Sequence, residues 1–133
     1  MDTPVVRVLV VDDHKILRDA LATFFETCED LVLVGEAGNG EEAVVACAQL
    51  QPDVVLMDLL MPVMDGISAT RIIHQQYPQI KILVLTSLGD GTQIQDALDA
   101  GASGFLLKNA SITHLADKLR EIAGYPPYAE AFS

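Results

Sequence analysis

Val54-Val55-Leu56-Met57-Asp58-Leu59-Leu60-Met61-Pro62-Val63-Met64-Asp65-Gly66 is the stretch on which the reading of this chain turns. Its first four residues are an uninterrupted apolar run, the pattern of a strand buried on both faces of a parallel sheet. A single carboxylate, Asp58, stands where the run ends, and a turn carrying Pro62, Asp65 and Gly66 follows. An unpaired charge in an apolar setting costs on the order of several kcal/mol, so an acid in that position asks for a cation. In open α/β sheets the carboxyl end of the strands is also where ligands bind. Asp58 as a plain acidic cap for the turn is the competing reading.

Working outward, apolar runs and helical patterns alternate. Val5 to Val11 is β-branched and nearly all apolar, a second buried strand, and it stops abruptly at Asp12, Asp13 and His14. From Ile16 the spacing turns helical through Leu17, Ala20, Leu21, Phe24 and Phe25. Leu31 to Val34 reads as a strand closed by a glycine-rich turn, G-E-A-G-N-G, and Glu41 to Leu50 as a helix stopped by Pro52. Beyond Gly66, Ile67, Thr70, Ile73 and Tyr77 mark a helix ended by Pro78. Ile80 to Leu85 is the next strand and delivers Thr86 and Ser87. A helix through Ile94, Ala97 and Leu98 closes at Gly101, and Gly104 to Leu107 forms a short strand ending in Lys108. Ser111 caps a last helix carrying Ile112, Leu115, Ala116, Leu119 and Ile122. Five alternations with short connections predict a single α/β domain: a doubly wound, flavodoxin-like (βα)5 sandwich around a five-stranded parallel sheet.

Composition narrows the function classes. The chain has 133 residues, half of them hydrophobic and a fifth charged, enough to bury a proper core. A formal net charge of −11 leaves no basic face for phosphate contacts, so nucleic-acid binding by these residues is not expected. Cys28 and Cys47 are isolated, without metal or redox spacing, and read as small buried hydrophobes of a reducing compartment. No charged leader precedes a long apolar core at the N-terminus, and no run approaches the about 18 apolar residues of a membrane span. A cytoplasmic protein without membrane attachment is the expectation.

A parallel sheet collects the strand ends on one edge, so Asp12, Asp13, Asp58, Thr86 and Lys108 can meet in one cleft. Three carboxylates placed together repel, which raises affinity for a hard divalent cation. Magnesium suits such a site because it accepts a few protein oxygens and keeps positions for water and phosphate. A lysine supplies a point charge for a phosphoryl oxygen, and a threonine hydroxyl donates to another. Phosphoryl transfer onto an aspartate is the chemistry this set fits. Each member has an ordinary alternative: Asp13 as a helix cap, Thr86 as a strand residue, Lys108 as a side chain reaching for solvent. His14 reads as a solvated rim residue. His74 and His114 lack ligand partners in sequence, and Met57, Met61 and Met64 read as core and turn packing.

V-V-D-D-H, L-M-D-L-L-M-P-V-M-D-G, L-T-S and G-F-L-L-K, in this order, resemble the receiver domain of bacterial two-component response regulators. D-D-H, L-V-G-E-A and a lysine without a following proline are similar to the NarL/LuxR-type transcriptional regulators. The resemblance implies Asp58 as phosphoacceptor, Asp13 as a direct magnesium ligand and Asp12 as one acting largely through water. It further implies the Leu60 backbone carbonyl as a ligand, Thr86 and Lys108 as phosphoryl contacts, and Phe105 as an aromatic switch repacking with Thr86. Asn109 replaces the proline common after the lysine, which argues against a cis bond there, and Phe105 lacks the hydroxyl of the more usual tyrosine. A receiver over residues 1–123, the start of a linker over 124–133 and a helix-turn-helix domain beyond are implied, so that DNA would be bound only through that further domain. A sensor histidine kinase as phosphodonor and homodimerisation on phosphorylation complete the expectation, with a stand-alone receiver as the rival. Leu60 and Leu88 are expected to flank the path of attacking water.

Two other function classes share the cleft chemistry. An aspartyl-phosphate phosphohydrolase places its nucleophile in a D-x-D pattern after the first strand, where this chain has D-D. A nucleotide- or flavin-binding module calls for a glycine-rich phosphate loop after the first strand, and neither G-x-x-x-x-G-K-[ST] nor G-x-G-x-x-G stands there.

Overall fold

The computed structural model describes residues 5–87 and 91–124. Ten elements alternate along them. The strands are β1 (Val6–Val11), β2 (Leu31–Ala37), β3 (Val54–Asp58), β4 (Lys81–Thr86) and β5 (Gly104–Leu107). The helices are α1 (Lys15–Glu26), α2 (Gly40–Leu50), α3 (Gly66–Gln76), α4 (Gly91–Ala100) and α5 (Ile112–Ile122). The strands form one sheet in the order β2-β1-β3-β4-β5, and every pairing is parallel. β3 therefore lies at the centre, as its unbroken apolar run requires, and all five of its residues are buried.

Alternation along the strands divides the core into two layers. Val6, Val8, Val10, Val54, Leu56, Leu83, Leu85 and Leu106 face α1 and α5, meeting Leu21, Phe25, Leu115 and Leu119. Leu9, Val11, Val55, Met57, Ile82 and Val84 face the opposite side, where Ala43 and Cys47 of α2, Ala69 and Ile73 of α3 and Ala97 of α4 cover them. Helix starts follow local capping chemistry. Asn39, Asp65 and Ser111 each accept a backbone N–H three residues on, at 2.9, 2.8 and 3.1 Å. Asp13 is not a cap, because the N-cap of α1 is His14 and its side chain bonds none of the helix N–H groups.

One element departs from the sequence expectation. β2 does not close after Val34 but runs on through Gly35 and Glu36 to Ala37, with an irregularity in its pairing opposite Val8 and Leu9. Gly35 serves here as a strand residue under a close neighbour: a Cβ on it would stand 2.6 Å from Leu50 Cδ1 of α2. Cys47 is buried, with its thiol pushed up to about 12 by burial, whereas Cys28 is only half-buried. Met57 lies in the core, and Met61 and Met64 pack against it from the β3–α3 loop. Ala123 caps α5, and the expected linker beyond Gly124 lies outside the described residues, as does Leu88.

Candidate phosphoacceptor and cation site

Asp58 ends β3 on the α1/α5 side of the sheet, by the same alternation that points Val54 and Leu56 there. It is 1% exposed. Lys108, one residue past β5, reaches back so that its Nζ lies 2.9 Å from Asp58 Oδ1. The Leu60 backbone N–H also lies close enough to the Asp58 carboxylate to favour its charged form slightly. Burial nevertheless dominates and raises the Asp58 pKa above the ordinary carboxylate value. The Lys108 hydrogen bond works against that rise, and the nearby charge of Asp12 adds to it.

Asp12 follows β1 and is likewise 1% exposed. Its Oδ1 accepts the His14 backbone N–H at 2.8 Å and contacts the His14 ring Nδ1 at 2.7 Å. The same ring nitrogen is 3.3 Å from Asp13 Oδ1. The hydrogen bond to Asp12, then the charges of Asp12 and Asp13, raise the His14 pKa. Sequence reasoning missed this contact, because a histidine after two acids carries no signal of which way its ring turns.

One ligand atom each from Asp12, Asp13, His14 and Asp58 lies within 4.8 Å of all the others. The fit to a divalent cation rests on a sharper observation. Among the described residues, the buried carboxylate oxygens that lack a hydrogen-bond partner are Asp12 Oδ2 and Asp58 Oδ2. Buried polar atoms are nearly always partnered, and a pair of orphaned anionic oxygens in one cleft is the coordination that a hard cation completes.

Thr86 ends β4 beside Asp58, since Leu85 pairs with Asp58 and Thr86 with Leu107. It is buried, and its hydroxyl makes only a long contact, 3.4 Å, to the Ser87 carbonyl oxygen. Phe105 pairs with Val84, two residues before Thr86 on the same sheet face, and is 41% exposed. Leu60, two residues after Asp58, is 62% exposed. Asp12, Asp13, Asp58 and Lys108 thus converge as a group, Thr86 stands on the adjoining strand end, and Phe105 lies outward.

Two backbone features shape the loop after Asp58, and neither has a clear sequence signal. Gly66 packs so tightly under β3 that a Cβ there would be 2.1 Å from the Asp58 carbonyl oxygen. Val63 has φ +68, and the Met64 N–H bonds the Pro62 carbonyl oxygen at 2.8 Å, a γ-turn with a β-branched residue at its centre.

A five-stranded parallel sheet with an acidic cleft and a lysine at the carboxyl ends of its strands defines a receiver-type α/β domain. Residues 8–120 match the family described as response regulator receiver domain, and this chain belongs to that family. It is 42% identical over 116 residues to the response regulator protein VraR of Staphylococcus aureus, a match covering 87% of this chain and 56% of that protein. The chain therefore spans about half the length of the curated relatives it matches. The signal receiver domain of NarL from Mycobacterium tuberculosis superposes with a TM-score of 0.86 at 30% identity, covering 92% of this chain and 98% of that one. The complex CheX-CheY-BeF3-Mg+2 from Borrelia burgdorferi provides a chain with a TM-score of 0.80 at 27% identity, covering 88% of each. The two-component signalling class and the NarL/LuxR-type likeness follow, while the phosphohydrolase and nucleotide-module readings lose their ground. Among the described residues no helix is long and apolar enough to cross a membrane.

Proposed function

We propose that this chain is a phosphorylation-activated switch that takes a phosphoryl group from a sensor histidine kinase onto Asp58. The observation that carries the reading is the buried Asp58 carboxylate, held by Lys108 at 2.9 Å on one oxygen and orphaned on the other. Asp58 attacks the phosphorus of a phosphohistidine: the new P–O bond forms as the P–N bond breaks, and the imidazole departs with its electron pair and takes up a proton. Asp12, Asp13, Asp58 and the Leu60 carbonyl would hold Mg2+. That ion, when bound, neutralises charge on the transferring oxygens. The neighbour solved with BeF3 and Mg2+ carries the same fold and supports this assignment. Lys108 is then freed to pair with a phosphoryl oxygen, and the Thr86 hydroxyl, weakly engaged at rest, donates to another. As Thr86 moves, Phe105 on the same sheet face turns inward from its exposed position. The domain catalyses only its own phosphorylation and dephosphorylation.

The proposed output is homodimerisation that controls transcription through a DNA-binding domain joined beyond residue 123, with 124–133 as the beginning of the linker. Exposed Leu98, Phe105 and Ile112, on α4, β5 and α5, favour the face around the fifth strand as the contact surface. The test is intact-mass measurement after treatment with acetyl phosphate and Mg2+, followed by sedimentation of the product. Wild type is expected to gain the mass of a single phosphoryl group and to shift toward a dimer, and Asp58→Asn to do neither. Equal phosphoryl gain by both would refute the assignment of Asp58.

A further inference from the structure

His14 brings a nitrogen to the acidic cluster that phosphoryl transfer does not require. Its Nδ1 stands 2.7 Å from Asp12 Oδ1 and 3.3 Å from Asp13 Oδ1. Around an octahedral ion with bonds of about 2.1 Å, neighbouring ligand atoms lie about 3 Å apart and opposite ones about 4.2 Å apart. The two measured separations bracket the neighbouring-ligand value, and the four-residue set, all within 4.8 Å of one another, needs to contract only slightly to enclose such an ion. Independently, Asp12 Oδ2 and Asp58 Oδ2 are buried without partners in the same cleft. The ring is fixed at the start of α1, where the His14 backbone N–H holds Asp12 Oδ1, and its outer side is open to solvent, 64% exposed.

We infer that His14 is an additional nitrogen ligand when a borderline first-row divalent ion occupies this site, making it a mixed imidazole–carboxylate centre for such ions, whereas Mg2+ is held by the oxygens alone. Carboxylates alone suit magnesium, calcium and manganese, whereas an imidazole shifts preference toward nickel, cobalt and zinc. Such ions bind more tightly than magnesium at most oxygen sites as well, so the diagnostic is the dependence on His14 and not the ranking itself. The inference rests on the three carboxylates being a divalent-cation site.

The experiment is calorimetric titration of wild type, His14→Gln, His14→Ala and Asp13→Asn with Ni2+ and with Mg2+, at a pH where imidazole is neutral. His74 and His114 are common to all four proteins, so only differences between variants count. Losing a ligand should cost at least as much as losing a second partner of a ligand, so both His14 variants are expected to bind Ni2+ about tenfold or more weakly, with Mg2+ changing by less than about threefold. The charge-transfer and d–d bands of bound Co2+ should move in the same two variants. Unchanged Ni2+ affinity in both, or an equal loss for the two ions, overturns the ligand role. If Asp13→Asn loses both ions while the His14 variants lose neither, the carboxylate site stands and the inference falls. Unchanged binding of both ions in Asp13→Asn overturns the site itself.

Discussion

Asp58 is kept at a cost to the fold. Burial raises its pKa, so between its unfolded and folded values the native state binds more protons than the unfolded one. Ionised Asp58 therefore subtracts stability above the folded pKa, and the loss is relieved as pH falls through it. Asp58→Asn should raise the metal-free melting temperature at neutral pH by roughly 4 °C, about 1 kcal/mol, and the gain should shrink on acidification. Thermal scans of both proteins across pH check this, and a neutral-pH loss in the variant would contradict it. Lys108 does not reverse the sign, because its side chain is a third exposed and can turn to water when its partner is gone. Leu60 acts on a different quantity. Its exposed side chain, two residues after the proposed phosphoacceptor, has no group that could orient water, so on the proposed function its part would be to exclude water. Leu60→Asn should change the dephosphorylation rate of the Asp58 phosphate severalfold while leaving its formation intact. An unaltered half-life would remove Leu60 from the water path.

At the scale of elements, the loop between β3 and α3 is the most constrained segment of the site. A Cβ at Gly66 meets backbone, 2.1 Å from the Asp58 oxygen and 2.8 Å from the Leu59 Cα, and backbone cannot swing aside as a side-chain tip can. Gly66→Ala should cost about 2–4 kcal/mol and slow phosphorylation together, since the relief must move Asp58, the proposed nucleophile. Denaturant titration and phosphorylation rates test the pair; a stable variant with normal rates would show the loop to be pliant. The contrast with β2 shows what was legible in advance. Apolar runs that end abruptly in charged residues are read directly, which is why β1, β3 and β5 and the convergence of Asp12, Asp13, Asp58 and Lys108 could be anticipated. Gly35 and Gly38 read as a turn because glycine usually marks one, whereas the continuation of β2 depends on Leu50 packing over Gly35 from α2, a tertiary contact. The His14 ring contact and the positive φ of Val63 are likewise set by neighbours distant from any local pattern.

Across the whole molecule, the α1–β2 turn is tied to the last helix by Asp30 and Arg120, whose Nε and Nη2 reach the two carboxylate oxygens at 2.5 and 3.0 Å. The Arg120 hydrogen bond holds the Asp30 pKa below its ordinary value, outweighing the opposing effect of burial. A depressed folded pKa means that the stabilisation is present above the unfolded value and lost as pH falls through the folded one. Arg120→Ala should therefore cost about 2 kcal/mol at neutral pH and progressively less in acid. Denaturant titrations at several pH values would show this convergence, and a cost independent of pH would place the role of Arg120 in packing alone. The distribution of the cleft along the chain has a consequence for biosynthesis. Its members run from Asp12 to Lys108, delivered by the ends of β1, β3 and β5. A polypeptide leaving the ribosome N-terminus first exposes Asp12 and Asp13 long before Lys108 has emerged and β5 can pair with β4. Until then the nascent chain carries the acids without their counter-charge and without a formed cleft. On the proposed function, competence to accept a phosphoryl group therefore arrives late and all at once, and a stalled or truncated product ending before residue 108 should not be phosphorylated.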